Sequence, residues 1–145
     1  MDEMGYDRVA CSLLSKLSIS LENHLYQTKL QDKGYYTMRA AMFEHNDIEY
    51  YICAGRCDPE GIPSNQFAIS IEMRDTSKDS KEILGRILPR LEESVNGVQW
   101  NPQKGKNQST ELYWRYEIQE QMFREREKKI MEDCELAIQL VRELC

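Results

Sequence analysis

The sequence predicts an α+β domain: an antiparallel sheet of about five strands with helices packed on one face, in the order α-β-β-β-α-β-β-α. Three observations carry this. Apolar residues recur at helical spacing near both ends of the chain and in the middle. Between them lie runs that alternate apolar and polar, with aromatic and β-branched residues at the alternating positions. No repeat, low-complexity tract or Pro/Gly-rich linker divides the 145 residues, so residues 1–145 read as a single domain.

The first element reads as an amphipathic helix over residues 7–31, with Ala10, Leu13, Leu14, Leu17, Leu21 and Leu25 as its buried stripe. Asp7 can cap its start, and Lys33-Gly34 supplies a base and a flexible residue as its stop. A hairpin follows, from Tyr35–Phe43 through the turn His45-Asn46-Asp47 into Ile48–Ala54. Asp58-Pro59-Glu60-Gly61-Ile62-Pro63 is a loop. Gln66–Arg74 then alternates, with Phe67, Ile69, Ile71 and Met73 to one side and Ala68, Ser70, Glu72 and Arg74 to a side expected to be wet.

Asp75-Thr76-Ser77 opens a second helix whose stripe is Ile83, Leu84, Ile87, Leu88, Leu91 and Val95. Pro89 removes a backbone donor within it, so a kink near Gly85 is expected, and Asn96-Gly97 ends it. Val98–Trp100 reads as a short strand, Asn101–Ser109 as an exposed loop, and Leu112–Ile118 as a last strand. From Gln119 onward nothing breaks a helix. Residues 124–129 carry almost no apolar surface, so that helix is expected to start solvated and dock by its second half, with Glu120–Arg124 and Glu125–Lys129 as i,i+4 pairs.

Charge narrows the function. The net charge is −6, with 25 acids against 19 bases, and no basic cluster marks a nucleic-acid face, which argues against direct nucleic-acid binding. No apolar run reaches the length that spans a bilayer, and the start of the chain lacks the apolar core of a signal peptide. Five cysteines, odd in number and irregular in spacing, fit reduced thiols in a cytoplasm, with Cys11, Cys53 and Cys134 among apolar neighbours.

No motif assigns a catalytic residue, a metal or a cofactor. Cys53-x-x-x-Cys57 with His45 lacks the second ligand pair of a structural zinc site. His24 and His45 are the two candidate bases, and neither has a local orienting partner. Asp58, Glu60 and Glu72 are the nearest approach to a metal-dependent hydrolase, but Arg74 stands where such a site wants a lysine. Lys104 and Lys106 beside Trp100 could touch nucleic acid, and read more simply as a charged loop.

Two resemblances follow from these elements. The order, size and acidity are similar to the class I type III secretion chaperones and their relatives, which implies a dimeric partner-binding protein. Residues 67–100, from FAISIEMRD through KEILGRILPRLEESVNGVQW, resemble a small prokaryotic domain of unknown function that follows PD-(D/E)XK nuclease domains in defence-related proteins. That second likeness implies an accessory domain without the catalytic core.

The aromatic residues point to a surface. Tyr35, Tyr36, Tyr50, Tyr51, Tyr113, Trp114 and Tyr116 all fall on expected strands, and adjacent pairs put one ring on each sheet face. One face packs on helices, and the other presents tyrosines to solvent or a partner. The expectation is therefore a non-catalytic protein-binding module of a prokaryotic cytoplasm. Tyr36, Tyr51, Tyr113, Arg115, Phe123 and Ile130 are its candidate contact residues, and Phe123, Ile130 and Met131 suggest a homodimer. The alternatives are an acidic inhibitor or accessory factor in defence or anti-defence, using Glu92, Glu93, Glu132, Asp133 and Glu135, and a small metal-dependent hydrolase.

Overall fold

The structure is a computed structural model that describes residues 3–17, 20–30, 34–55, 66–73, 79–100, 111–117 and 123–145. The elements in chain order are α1 (Glu3–Ser15), β1 (Ser20–Leu30), β2 (Gly34–His45), β3 (Ile48–Gly55), β4 (Gln66–Met73), α2 (Ser80–Gly85), α3 (Leu88–Glu92), β5 (Gln99–Trp100), β6 (Glu111–Glu117) and α4 (Phe123–Leu144). The strands form one antiparallel sheet of six, ordered β1-β2-β3-β4-β6-β5. The α+β class holds, with one strand more than the sequence suggests.

The extra strand is β1, which occupies the second half of the expected helix 7–31. Ala10, Leu13 and Leu14 lie on α1 and Leu17 just beyond its end, and all four are buried. Leu21 and Leu25 instead lie on β1. Four is a multiple of two, so an i,i+4 repeat fits a strand as well as a helix. The i,i+3 contacts that distinguish a helix stop at Leu17. His24 thus sits on a strand, at an irregularity where Glu22, Asn23 and His24 all oppose Ala40.

The β2–β3 hairpin turns through Asn46 and Asp47, both in the left-handed region at φ 51° and 62°. Two successive left-handed residues are what a tight type I′ turn requires, because it matches the twist of the flanking strands. Asn46 also donates from Nδ2 to the Cys145 carbonyl at 3.0 Å, which ties the turn to the end of α4.

The middle helix is divided. Asp79 caps α2 by accepting from the Glu82 amide at 3.1 Å, whereas the Asp75-Thr76-Ser77 start lies outside the described residues. The chain breaks after Gly85 and resumes as α3 with Pro89 in its first turn, where a missing N–H costs nothing. α4 begins with exposed or half-buried residues and becomes buried from Ile130 onward, as its charge pattern implies.

Every described helix joins the same core. Leu13 and Leu14 of α1, Leu84 of α2, Leu91 of α3 and Ile138 and Val141 of α4 cluster with Phe67, Ile69, Ile71, Leu112 and Trp114 of one sheet face. Tyr50 is on that face, stacked on Phe43 with ring centroids 5.3 Å apart. Burial pushes its hydroxyl up to about 12, with the Cys145 thiolate adding to the rise and Arg86 opposing it.

Two predictions follow. Asp47→Gly removes the left-handed penalty of a side chain and raises stability by about 0.5–1 kcal/mol, read as a higher urea midpoint at unchanged slope. Tyr50 stays protonated in the fold above the pH near 10 where an unfolded tyrosine ionises. Stability is therefore intact below pH 10 and falls between pH 10 and 12. Urea midpoints across that range show a decline that is shallower in Tyr50→Phe.

Candidate functional site

The alternation that sends Phe67, Ile69, Ile71 and Met73 into the core sends Gln66, Ala68, Ser70 and Glu72 to the second face of the sheet. This face is not wet. Ala68, Ser70 and Glu72 are 2%, 3% and 8% exposed, so the expected exposed side of β4 is buried. Across the sheet the register aligns Met42, Tyr51, Glu72 and Glu111 in one row. Ala40, Cys53, Ser70, Tyr113 and Gln99 form the next row. Gly55, Ala68 and Arg115 share a third. Small residues make the floor, and tyrosine, methionine and arginine stand around it. Ala40, Tyr51 and Cys53 form a cluster separate from the main core, with Met42 against it.

The adjacent tyrosines divide as expected. Tyr50 enters the core while Tyr51 lies on the second face, and its hydroxyl donates to Glu49 Oε2 at 3.1 Å. Trp114 and Tyr116 point to the core while Tyr113 and Arg115 point to the second face. The Tyr113 hydroxyl donates to Gln99 Oε1 at 2.9 Å, and the Arg115 guanidinium lies over the Tyr113 ring, 5.2 Å from its centroid. Tyr36 pairs with Thr28 in the register, but its side chain lies outside the described residues. Of the candidate contact residues, Tyr51, Tyr113 and Arg115 thus share one face, where Tyr113 and Arg115 are half-buried and Tyr51, contrary to expectation, is buried at 8% exposure.

Three other expectations need correction. Ile130 is fully buried in the chain's own core and offers nothing to a partner, while Phe123 and Met131 pack partly buried against that core. Asp133 is not a surface acid, being 2% exposed. Glu92, Glu93 and Glu132 are exposed and Glu135 is half-buried. Lys129 does not pair with Glu125; it reaches Asp133 Oδ1 at 2.6 Å and the Ser94 carbonyl at 2.9 Å. A buried carboxylate is the stronger claim on its ammonium than a solvated one, since the desolvated charge gains more from a partner.

Asp133 anchors a chain of hydrogen bonds. Trp114 Nε1 donates to the Tyr116 hydroxyl at 2.7 Å, and that hydroxyl donates to Asp133 Oδ2 at 2.5 Å. Burial raises the Tyr116 hydroxyl far above its usual range, and the bond to Asp133 and the charge of Asp133 raise it further, so it remains a donor. The neighbouring Cys134 is fully buried, and desolvation holds its thiol well above the ordinary range, which makes it inert. Sequence reasoning had no signal for this network, because Asp133 sits among Glu132 and Glu135 with nothing to mark it as the inward acid.

Among the described residues no group of three or more His, Cys, Asp or Glu side chains is placed to hold a metal ion. Cys57, Asp58, Glu60, Lys104 and Lys106 lie outside the described residues. Cys53 is buried on the second face, His45 is half-buried at the end of β2, and Trp100 packs against the core with Lys81 Nζ 5.9 Å from its ring centroid.

Tyr116→Phe leaves Trp114 Nε1 without its acceptor and Asp133 Oδ2 without its donor, and lowers stability by about 2–4 kcal/mol in urea unfolding. Asp133→Ala costs a similar amount. The double variant costs clearly less than the sum, because both single changes break the same bond.

Compared with protein-family models, with curated proteins and with solved structures, the chain matches none.

Proposed function

We propose that the chain is a non-catalytic protein-binding module whose contact surface is the part of the second sheet face that reaches solvent, centred on the half-buried Tyr113 and Arg115 of β6. One observation supports this above the others: all the described helices join the core on one face, and none of them contributes to the Ala40–Tyr51–Cys53 cluster on the other. A tyrosine ring overlaid by an arginine, beside a floor of Ala68, Ser70 and Cys53, combines the residue types that carry binding energy at protein interfaces.

The setting we propose is a prokaryotic cytoplasm. The four described cysteines, Cys11, Cys53, Cys134 and Cys145, are all free thiols, which suits a reducing compartment. No helix among the described residues is long and apolar enough to cross a membrane. The exposed acids Glu92, Glu93 and Glu132 favour partners of positive charge and keep the inhibitor reading as the second choice.

The test is affinity capture from the source cell's lysate with the full chain, run with and without nuclease. The expected outcome is one dominant protein that survives nuclease treatment. It is lost with Tyr113→Ser, whose circular dichroism matches the parent, and retained with the α4 surface variant Glu143→Gln. Equal capture by both variants moves the contact surface away from the sheet, and capture abolished by nuclease rejects direct protein binding.

A further inference from the structure

The side of α4 turned away from the core carries an open groove of about 530 Å³. Among the described residues it is lined by Arg124, Glu127, Lys128, Met131, Glu132 and Glu135. Arg124, Lys128 and Glu132 are exposed and the other three are half-buried, so the groove is open to a second molecule. The helical repeat sets Arg124, Lys128, Met131 and Glu135 in one row, spaced four, three and four residues apart. That is the spacing of the seam along which two helices interlock. Met131 gives the row an adaptable apolar centre.

The charges along this row are sorted by sign. The Lys16 ammonium, just beyond α1, pairs with Glu127. Beyond that pair, two bases, Arg124 and Lys128, lie before Met131, and two acids, Glu132 and Glu135, lie after it. At 1.5 Å per residue the outermost two stand about 16 Å apart along the helix. The groove thus has a positive half and a negative half of equal charge. A uniformly acidic or uniformly basic partner meets repulsion at one half. A helix of the same charges running the other way meets attraction at both, and α4 of a second copy is such a helix. A parallel pairing would set Arg124 against Arg124 and Glu135 against Glu135.

We infer that the groove is a contact between two copies of this chain, whose α4 helices pack antiparallel about a two-fold axis near residue 130. Arg124 then faces Glu135 of the second copy, Lys128 faces Glu132 of the second copy, and the symmetry doubles each pair. The two Met131 side chains meet near the axis, over the aliphatic stems of Lys128. About three helical turns from each copy bury less than the roughly 1,200 Å² of a lasting interface, so the dimer is weak and forms as concentration rises. The described helices join the core on the opposite side of the sheet from the surface proposed above. The dimer therefore covers that surface in neither copy and does not depend on its role.

Sedimentation equilibrium of the full chain over a wide range of concentration tests this. The expected result is a monomer–dimer equilibrium that weakens as salt rises from about 0.05 to 0.5 M. Lys128→Glu sets like charges against Glu132 of the other copy, and Glu132→Lys does the same against Lys128. Each raises the dimer dissociation constant about tenfold or more. An equal mixture of the two variants associates again, to within about threefold of the parent, because each reversed charge then meets its opposite. Circular dichroism matching the parent shows that both variants are folded.

A chain that stays monomeric up to about 1 mM overturns the inference. A dimer that neither reversal weakens uses another surface, or pairs α4 in parallel with Lys128 against Lys128, and also overturns it. Weakening by each variant without recovery in the mixture rejects the contact between Lys128 and Glu132, and with it the antiparallel register.

Discussion

The carboxylate of Asp133 is the point on which the helical layer is fixed to the sheet. It lies in α4 at a position that a purely apolar stripe would fill with leucine, and it is buried. A charge there is tolerable because it is doubly satisfied, by the Tyr116 hydroxyl from β6 and by the Lys129 ammonium one turn earlier on α4. Lys129 remains half in water and also binds the Ser94 carbonyl beyond α3. One acid thus sets the rotation of α4 over β6 and holds the end of the α3 segment beside it. Apolar packing alone is non-directional and would accept neighbouring rotations of a long helix. The hydrogen-bonded network admits one.

Placing the described helices on one face has a consequence for the other. Its central residues are small, and its larger ones, Tyr51, Tyr113 and Arg115, are held by bonds or stacking to neighbours within the sheet. Side chains held this way would lose little further freedom on meeting the proposed partner, which lowers one of the costs of association. No described helix packs on this face, yet its central residues are buried.

Much of the fold was legible. The hairpin turn at Asn46-Asp47, the break around Gly85 and Pro89, the short strand at Gln99–Trp100 and the late docking of α4 all follow from local residue chemistry. The misreading at β1 came from a repeat of four, which serves strand and helix alike. The misplacement of Ile130 and Asp133 came from reading the onset of α4 as free surface, although both lie on the inward side. The shared face of Tyr51, Tyr113 and Arg115 was legible because alternation along a strand assigns faces directly.

By itself the sequence determined the α+β class, the partition of adjacent aromatics between two faces and the amphipathic ends of the chain, since these depend on residue periods that neighbours along the chain reveal. Only the tertiary structure decided which acid of α4 is buried, that the second face of β4 is dry, and that Gln66 Oε1 and Arg115 Nε are buried without hydrogen-bond partners. Each of these depends on residues far apart in sequence, whose juxtaposition is set by strand register and helix rotation and leaves no local periodic signal.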